Sequence, residues 1–402
     1  MKRYYHWIIP AVILSVAGCQ TLDTTLNKAD QALGVAASPT ARSLAGIAVS
    51  GDPGKALRSV AERRVEAYKD DPRALIADAR RVKSDFDKLM GLLKGNVSKK
   101  WGRKEVQVPT RTQYVKYTQN YKSRAIVDFD GGEVTVETVE EQDAKAGLRS
   151  AIITTLLTPD DPRAVDLFTD KEVKLPGDKE PYLYHLVVDH RGRSVGSPAE
   201  AGAFADYLLA EGRVEKRAVT MEKETKNALF VKISMVPNFE DRKAEKYRPF
   251  VARFAEKYNI SQSLVFAIIR TESNFNPFAV SPAPAYGLMQ LVPTSGGRDA
   301  YRLAKGVDES PSKDYLFDAG NNIELGTAYL NVLFYSHLKP VDNTVSREYC
   351  VISAYNTGAG NVYRTFDRNQ ASAVNKINLM EPPAVYEKLK TSLPYQETRD
   401  YI

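Results

Sequence analysis

At 402 residues, 43% apolar and 26% charged, the chain has the composition of a globular protein of two or three domains. Its 56 Lys and Arg against 50 Asp and Glu leave a formal net charge of +6, a mild excess that suits acidic surfaces or polymers without requiring nucleic acid. No Walker motif, dinucleotide fingerprint or zinc-spaced Cys/His cluster occurs, and the histidines, His6, His185, His190 and His337, are scattered, which argues against nucleotide, dinucleotide and zinc chemistry.

The chain opens "MKRYYHWIIPAVILSVAGC". Lys2 and Arg3 precede an apolar run from Trp7 to Val16, too short and too early for a spanning helix and laid out as a secretory signal. Val16-Ala17-Gly18 before Cys19 resembles a bacterial lipobox, which implies cleavage before Cys19 and acylation of its thiol. Several acyl chains make a stable anchor, because each buried CH2 contributes about 0.8 kcal/mol. Gln20 after Cys19 resembles lipoproteins sorted to the outer membrane, so the expected partner is that bilayer and the expected face is the periplasm. The other cysteine, Cys350, then has no disulfide partner and reads as a small buried hydrophobe in "YCVISAY".

Residues 19–58, rich in Ala, Thr, Ser and Gly, read as a lipidated cysteine and tether. Asp71-Pro72 looks like a helix start, and Leu75, Ala79, Val82, Phe86, Leu89 and Leu93 are expected on one face of the helix that follows. From Lys88 to Lys104 there are six cations and no acid. That run is either a solvated surface or a contact with an anionic wall or membrane.

Beyond residue 105, "TQYVKYTQ", "SRAIVDFD" and "EVTVETVE" alternate at period two, with Asp130-Gly131-Gly132 as a turn. Helices are expected near 142–157 and 198–211, and strands in "RVEKRAVTME" and "NALFVKISMV". Residues 59–238 are therefore expected to form an α+β N-terminal domain with an antiparallel sheet. From about 239 only helical patterns remain, roughly 241–258, 261–273, 287–304, 318–338, 346–355 and 359–366. Residues 239–402 are expected to be an all-α domain.

One of those helices carries chemistry. In "LVFAIIRTES", Val265, Ile268, Ile269 and Glu272 fall at i, i+3, i+4 and i+7, so a carboxyl closes an apolar stripe. Burial raises the pKa of such a group, and a protonated Glu272 can donate to the leaving oxygen of a glycosidic bond. Alone the signal is weak, since a Glu at a helix end is more often a cap or surface charge. A stiff polar loop with Asn274, Asn276, Pro277, Pro282 and Pro284 follows, then "GLMQ".

"ESNFNPFAVSPAPAYGLMQLVP" is similar to the Glu-Ser and Gly-Leu-Met-Gln motifs of lytic transglycosylases with a soluble-transglycosylase (goose-lysozyme-like) catalytic domain. "NIELGTAYL" (322–330), "AYNTGAGNV" (354–362) and "ETRDYI" (397–402) resemble that family's later motifs, in order. Upstream, "VQVPTRTQYVKYTQNYKSRAIVDFDGGEVTVETVE" resembles the N-terminal domain of the membrane-bound lytic transglycosylase C family. The resemblance implies a lysozyme-like catalytic domain and makes Glu272 the sole catalytic acid/base. It implies substrate contacts from Ser273, Ser281, Met289, Gln290, Tyr329, Tyr355, Asn356 and Glu397. For Met289 and Tyr329 core packing is the competing reading, and for Glu397 a fold-stabilising role.

The implied reaction cleaves the bond between N-acetylmuramic acid and N-acetylglucosamine in peptidoglycan strands, giving 1,6-anhydro ends without water, cofactor or metal. A two-carboxylate hydrolase needs a second flanking acid, and none lies between Glu272 and Asp299. Attack from chain ends is expected, with the α+β domain closing one end of the groove. The rival readings are a hydrolytic muramidase and a non-catalytic peptidoglycan-binding lipoprotein.

Overall fold

The computed structural model describes residues 72–402 apart from residues 176, 178, 211, 222, 223 and 282–284, with side chains from residue 83 onward. The expected signal, Cys19, the tether, Pro282 and Pro284 lie outside the described residues. Among the described residues no helix is long and apolar enough to cross a membrane.

Helix α1 (Pro72–Trp101) packs inward through Phe86, Leu93, Val97 and Trp101, with Met90 half-buried. Leu89, expected on this stripe, is 42% exposed. The buried series steps by three and four residues through 86, 90, 93, 97 and 101, and Leu89 falls one position outside that arc.

Five strands follow: β1 (Gln113–Thr118), β2 (Ser123–Asp128), β3 (Glu133–Thr138), β4 (Glu215–Thr220) and β5 (Thr225–Ser234). They form one antiparallel sheet in the order β1-β2-β3-β5-β4, with Gln113 opposite Asp128, Ser123 opposite Thr138, and Glu133 opposite Ser234. Helices α2 (Ala144–Leu156) and α3 (Pro198–Ala210) pack together, and α2 lies on β2, β3 and β5. The β2–β3 turn needs glycine at 132: φ is +64°, and a Cβ there would stand 2.6 Å from the Phe239 ring.

From α4 (Phe239–Tyr258) onward the chain is helical: α5 (Gln262–Ser273), α6 (Gly296–Lys305), α7 (Lys313–Phe317), α8 (Ala319–Val332), α9 (Thr344–Thr357), α10 (Ala359–Phe366), α11 (Gln370–Asn378), α12 (Pro382–Ser392) and α13 (Gln396–Tyr401). Cys350, on α9, is buried and free, and burial pushes its thiol up to about 12. Helix α8 packs against α4, α6 and α7. Its buried Glu324 is gripped by Lys257 of α4 and Lys305 at the end of α6, both at 2.7 Å.

The helix expected over 287–304 is half as long and begins at Gly296. Residues 286–291 instead form a tight turn, with Tyr286 bridged to Leu291 and left-handed backbone at Gly287 (φ 73°) and Gln290 (φ 45°). Three groups from α8 and α5 hold that turn. Asn322 accepts from the Met289 N–H and donates to the Tyr286 and Leu316 carbonyls, each at 2.8 Å. The Ser273 hydroxyl donates to the Leu288 carbonyl at 2.7 Å. Gly326 leaves the space that the fully buried Met289 side chain fills.

A Cβ at 326 would lie 2.2 Å from Met289 Sδ and 2.9 Å from its Cβ. Gly326→Ala is therefore expected to destabilise the fold by roughly 1–3 kcal/mol, the usual cost of overpacking. In a thermal-melt double-mutant cycle, adding Met289→Ala should cost less in that background than in the wild type. Strict additivity would mean that the two residues do not meet.

Candidate active site

Helix α5 starts with Ser261, whose hydroxyl accepts from the Leu264 N–H, and ends at Asn274, which is left-handed at φ 45°. Its apolar face, Val265, Ile268 and Ile269, is buried as the periodicity requires, and Glu272 at its end is 5% exposed. The residues after it are seated on the α+β part of the chain. Asn274 donates to the Phe129 carbonyl at 2.8 Å and Asp130 at 2.9 Å, and Asn276 donates to the Arg111 carbonyl at 3.0 Å. The Tyr182 hydroxyl donates to the Phe275 carbonyl at 3.1 Å, and the Phe278 ring packs edge-on against Tyr114 and Tyr182.

Glu272 lies in the wall of a groove of about 1290 Å³. Its Oε1 accepts a hydrogen bond from the Tyr401 hydroxyl at 2.8 Å, reaching 129 residues along the chain. Arg111 Nη1 stands 3.8 Å from Glu272 Oε2 and 3.1 Å from Glu397 Oε1. Burial pushes the Glu272 carboxyl up from 4.5 to about 7, against the Tyr401 hydrogen bond and the Arg111 charge, which both favour the carboxylate; Glu397 pushes it further up. The C-terminal end of α5 carries negative dipole charge, which opposes ionisation in the same sense. Burial, and then the negative charge of Glu272, raise the phenols of Tyr355 and Tyr401 well above 10.

Ser281, Gln290, Tyr329, Tyr355, Asn356 and Glu397 line the same groove as Glu272. The Gln290 amide donates to the Ala279 and Gly287 carbonyls at 3.1 and 2.9 Å, which leaves its buried Oε1 as an unused acceptor. Tyr355 donates to the Met289 carbonyl at 2.8 Å, and its ring sits 5.4 Å from Tyr329. Asn356 Oδ1 accepts from Thr398 at 2.6 Å, which ties α13 to α9. Two expected contacts do not reach the groove. The Ser273 hydroxyl donates to the Ile269 and Leu288 carbonyls, and the Met289 side chain is packed against Gly326.

The family model described as "Membrane-bound lytic murein transglycosylase C, N-terminal domain" matches residues 71–246, and the "Transglycosylase SLT domain" matches residues 250–378. Membrane-bound lytic murein transglycosylase C of Yersinia enterocolitica is 43% identical over 333 residues, 83% of this chain and 90% of the relative. The chain belongs to the membrane-bound lytic murein transglycosylase C family. The relative of that name from Sodalis glossinidius is 44% identical over 317 residues, 79% of this chain and 87% of its own. Among solved structures, an inactive mutant of a lytic transglycosylase from Pseudomonas aeruginosa is 28% identical, with a TM-score of 0.31. It aligns with 39% of this chain and 22% of its own. The 70 kDa soluble lytic transglycosylase of Escherichia coli is 31% identical, with a TM-score of 0.29 and the same coverage.

Two residues at the acid escape a reading of the sequence. Tyr401 lies inside the family-like "ETRDYI" but nothing in that string marks it as the donor to Glu272. Arg111 lies in "VPTRTQY", before β1, where no local pattern separates it from a surface arginine. The Asn276 amide on its carbonyl and the Val280 N–H on the Thr110 carbonyl help to hold it beside the acid.

Arg111 and Glu397 should therefore move Glu272 in opposite directions. Arg111→Met removes the cation and is expected to raise the midpoint of Glu272 ionisation. Glu397→Gln removes an anion and frees Arg111 for Glu272, and is expected to lower it. Each shift should reach up to roughly one pH unit. NMR titration of the Glu272 carboxyl carbon checks both, and shifts of the same sign would contradict this geometry.

Proposed function

We propose that the chain is a peptidoglycan lytic transglycosylase in which Glu272 is the single acid/base. The observation that carries the reading is a carboxyl that is 5% exposed in a large groove, with burial holding it up near 7. Near neutral pH such a group is present in both forms, so it can first give a proton and then take one.

Protonated Glu272 donates to the glycosidic oxygen between N-acetylmuramic acid and N-acetylglucosamine. The C1–O bond breaks, its electron pair leaves with the protonated oxygen, and the carbonyl oxygen of the muramyl N-acetyl group closes onto C1. The Glu272 carboxylate then takes the proton of the muramyl 6-hydroxyl. O6 bonds to C1, the acetamido ring opens, and the acid is restored. No water enters, and the products together have the mass of the substrate.

Tyr401 and Arg111 act as positioning groups that keep the carboxylate form within reach. Ser281, Gln290, Tyr329, Tyr355 and Asn356 line the sugar path, and the free Gln290 Oε1 is suited to accept an N–H of an acetamido group. The hydrolytic alternative needs two carboxyl groups flanking the bond with the sugar between them. Three further carboxyl groups line this groove and each is engaged, Asp87 with Lys83, Asp130 with the Asn274 amide and Glu397 with Arg111.

The division into a signal peptide (1–18), lipidated tether (19–58), α+β domain (59–238) and catalytic domain (239–402) is part of the proposal. So is attack from chain ends, supported by Thr110, Arg111, Thr112 and Asp130 of the α+β part lining the groove. The relatives are named membrane-bound. Val16-Ala17-Gly18-Cys19 with Gln20 supports an acyl anchor in the outer membrane, facing the periplasm. Cys19→Ser should then abolish incorporation of labelled palmitate; a variant that still carries the label would remove the anchor from Cys19.

Mass spectrometry of digested sacculi tests the chemistry. Anhydro ends, one water lighter than reducing ends, are expected, and small products should appear before long strands shorten if attack is from ends. Glu272→Gln is expected to lower the rate by at least about two orders of magnitude. Unfolding will not explain that loss. The folded acid binds a proton between pH 4.5 and about 7 that the unfolded chain has released, so wild-type stability falls as pH rises through this window. Glutamine escapes that loss, and at pH 8 the variant should be more stable by on the order of 2–4 kcal/mol, a difference that vanishes below pH 4.5. Reducing ends from the wild type, or full activity in the variant, would overturn the reading.

A further inference from the structure

Helix α1 borders both the core and the groove. Phe86, Leu93, Val97 and Trp101 are buried in the core. Asp87, Met90 and Lys94, at i, i+3 and i+7, line the groove that holds Glu272 beside Phe86, with Met90 at the margin of the buried arc. Asp87 already pairs with Lys83 at 3.0 Å. The cations among the groove's lining residues are Arg111 and Lys94. Arg111 is engaged by two carboxyl groups, whereas Lys94 is exposed and has no ion-pair partner among the described residues. Lys94 belongs to the basic run from Lys88 to Lys104.

The substrate has an anion to offer at this place. If the chain cleaves peptidoglycan as proposed above, muramyl C1 lies at Glu272. The same sugar carries on O3 a lactyl group bearing a short peptide, which must leave the groove along one of its banks. A few residues of extended chain span on the order of 10–15 Å, at about 3.4 Å per residue, so the peptide runs well past the reaction centre. It ends in free carboxylates and carries small apolar side chains. Lys94 supplies the complementary charge, and the half-buried Met90, one turn before it, an adaptable apolar contact.

We propose that the Met90–Lys94 face of α1 is a subsite for the anionic peptide of the substrate, so that the enzyme prefers peptide-bearing strands. The inference rests on the transglycosylase reading. It makes the α+β part a reader of the substituent rather than a passive wall, and gives one cation of the basic run a ligand.

The test uses the full chain on two substrates, glycan strands with their peptides and the same strands after an amidase has removed them. Release of anhydro products gives kcat/KM on each. Lys94→Glu is expected to lower the ratio of peptide-bearing to stripped turnover by roughly three- to tenfold at low salt, with the effect shrinking as salt rises. Lys94→Arg should keep the ratio near that of the wild type. Equal changes on both substrates would overturn the subsite. So would an unchanged ratio accompanied by lost binding to anionic vesicles, which would assign the cation to a membrane surface. A wild type that makes no anhydro product from either substrate defeats the transglycosylase reading, and the subsite with it. A wild type that makes the product but whose Lys94→Glu variant keeps the ratio defeats the subsite alone.

Discussion

A carboxyl group taken out of water must either lose its charge or find partners, and the architecture around Glu272 is built on that constraint. Isolated burial of the anion would be costly, so the group shifts toward its neutral form instead. The shift is limited by the Tyr401 phenol at 2.8 Å and the Arg111 guanidinium at 3.8 Å, which both favour the carboxylate. Neither partner is near Glu272 in the chain. Tyr401 stands on the last helix, and Arg111 on the approach to the first strand. The carboxyl is therefore the meeting point of three distant segments, and the fold must fix all three.

It does so mainly through polar side chains spent on backbone. Asn274 and Asn276 seat the end of α5 on the β2–β3 turn and on the Arg111 carbonyl. Asn322, Ser273 and Tyr355 hold the turn that carries Gln290, and Thr398 holds α13 to Asn356. With so many polar groups near the acid committed internally, two groups of the groove lining stand out, the buried Gln290 Oε1 without a partner and the exposed Lys94. A residue in a family-like motif can thus serve either the frame or the groove. The Ser273 hydroxyl and the Met289 side chain make their contacts within the frame.

What was legible in the sequence follows the range of the interactions. The stripe Val265, Ile268, Ile269 and Glu272 is a local pattern, and it located the acid and its burial together. The five strands and most helices were legible for the same reason, since period two and period 3.6 are properties of neighbours. The helix expected over 287–304 was misread because Leu288 and Leu291 suit a helix, while the turn is imposed by Asn322 and by left-handed backbone at Gln290. Leu89 was misplaced because the expected stripe stepped from Phe86 to Leu89 and passed over Met90, which occupies the inward position. The pairing of Arg111 with Glu272 and Glu397 was out of reach, because an ion pair between segments distant in sequence leaves no periodic trace.

The pairing of Arg111 with two carboxyl groups fits a mechanism that uses one acid twice. A group that only donates can be held as high as burial will push it. One that must also recover a proton from a hydroxyl needs its anion stabilised enough to exist between the two steps. Burial without Tyr401 and Arg111 would serve the first step and hinder the second. Full pairing with Arg111 would do the reverse, leaving an anion with no proton to give. Glu397 draws on the same guanidinium at 3.1 Å, the shorter of the two contacts, and so keeps Arg111 from neutralising Glu272 outright. On this view Glu397 is neither base nor nucleophile. Its charge joins burial in raising the acid to about 7, against Tyr401 and Arg111, which suits an acid that works in both directions.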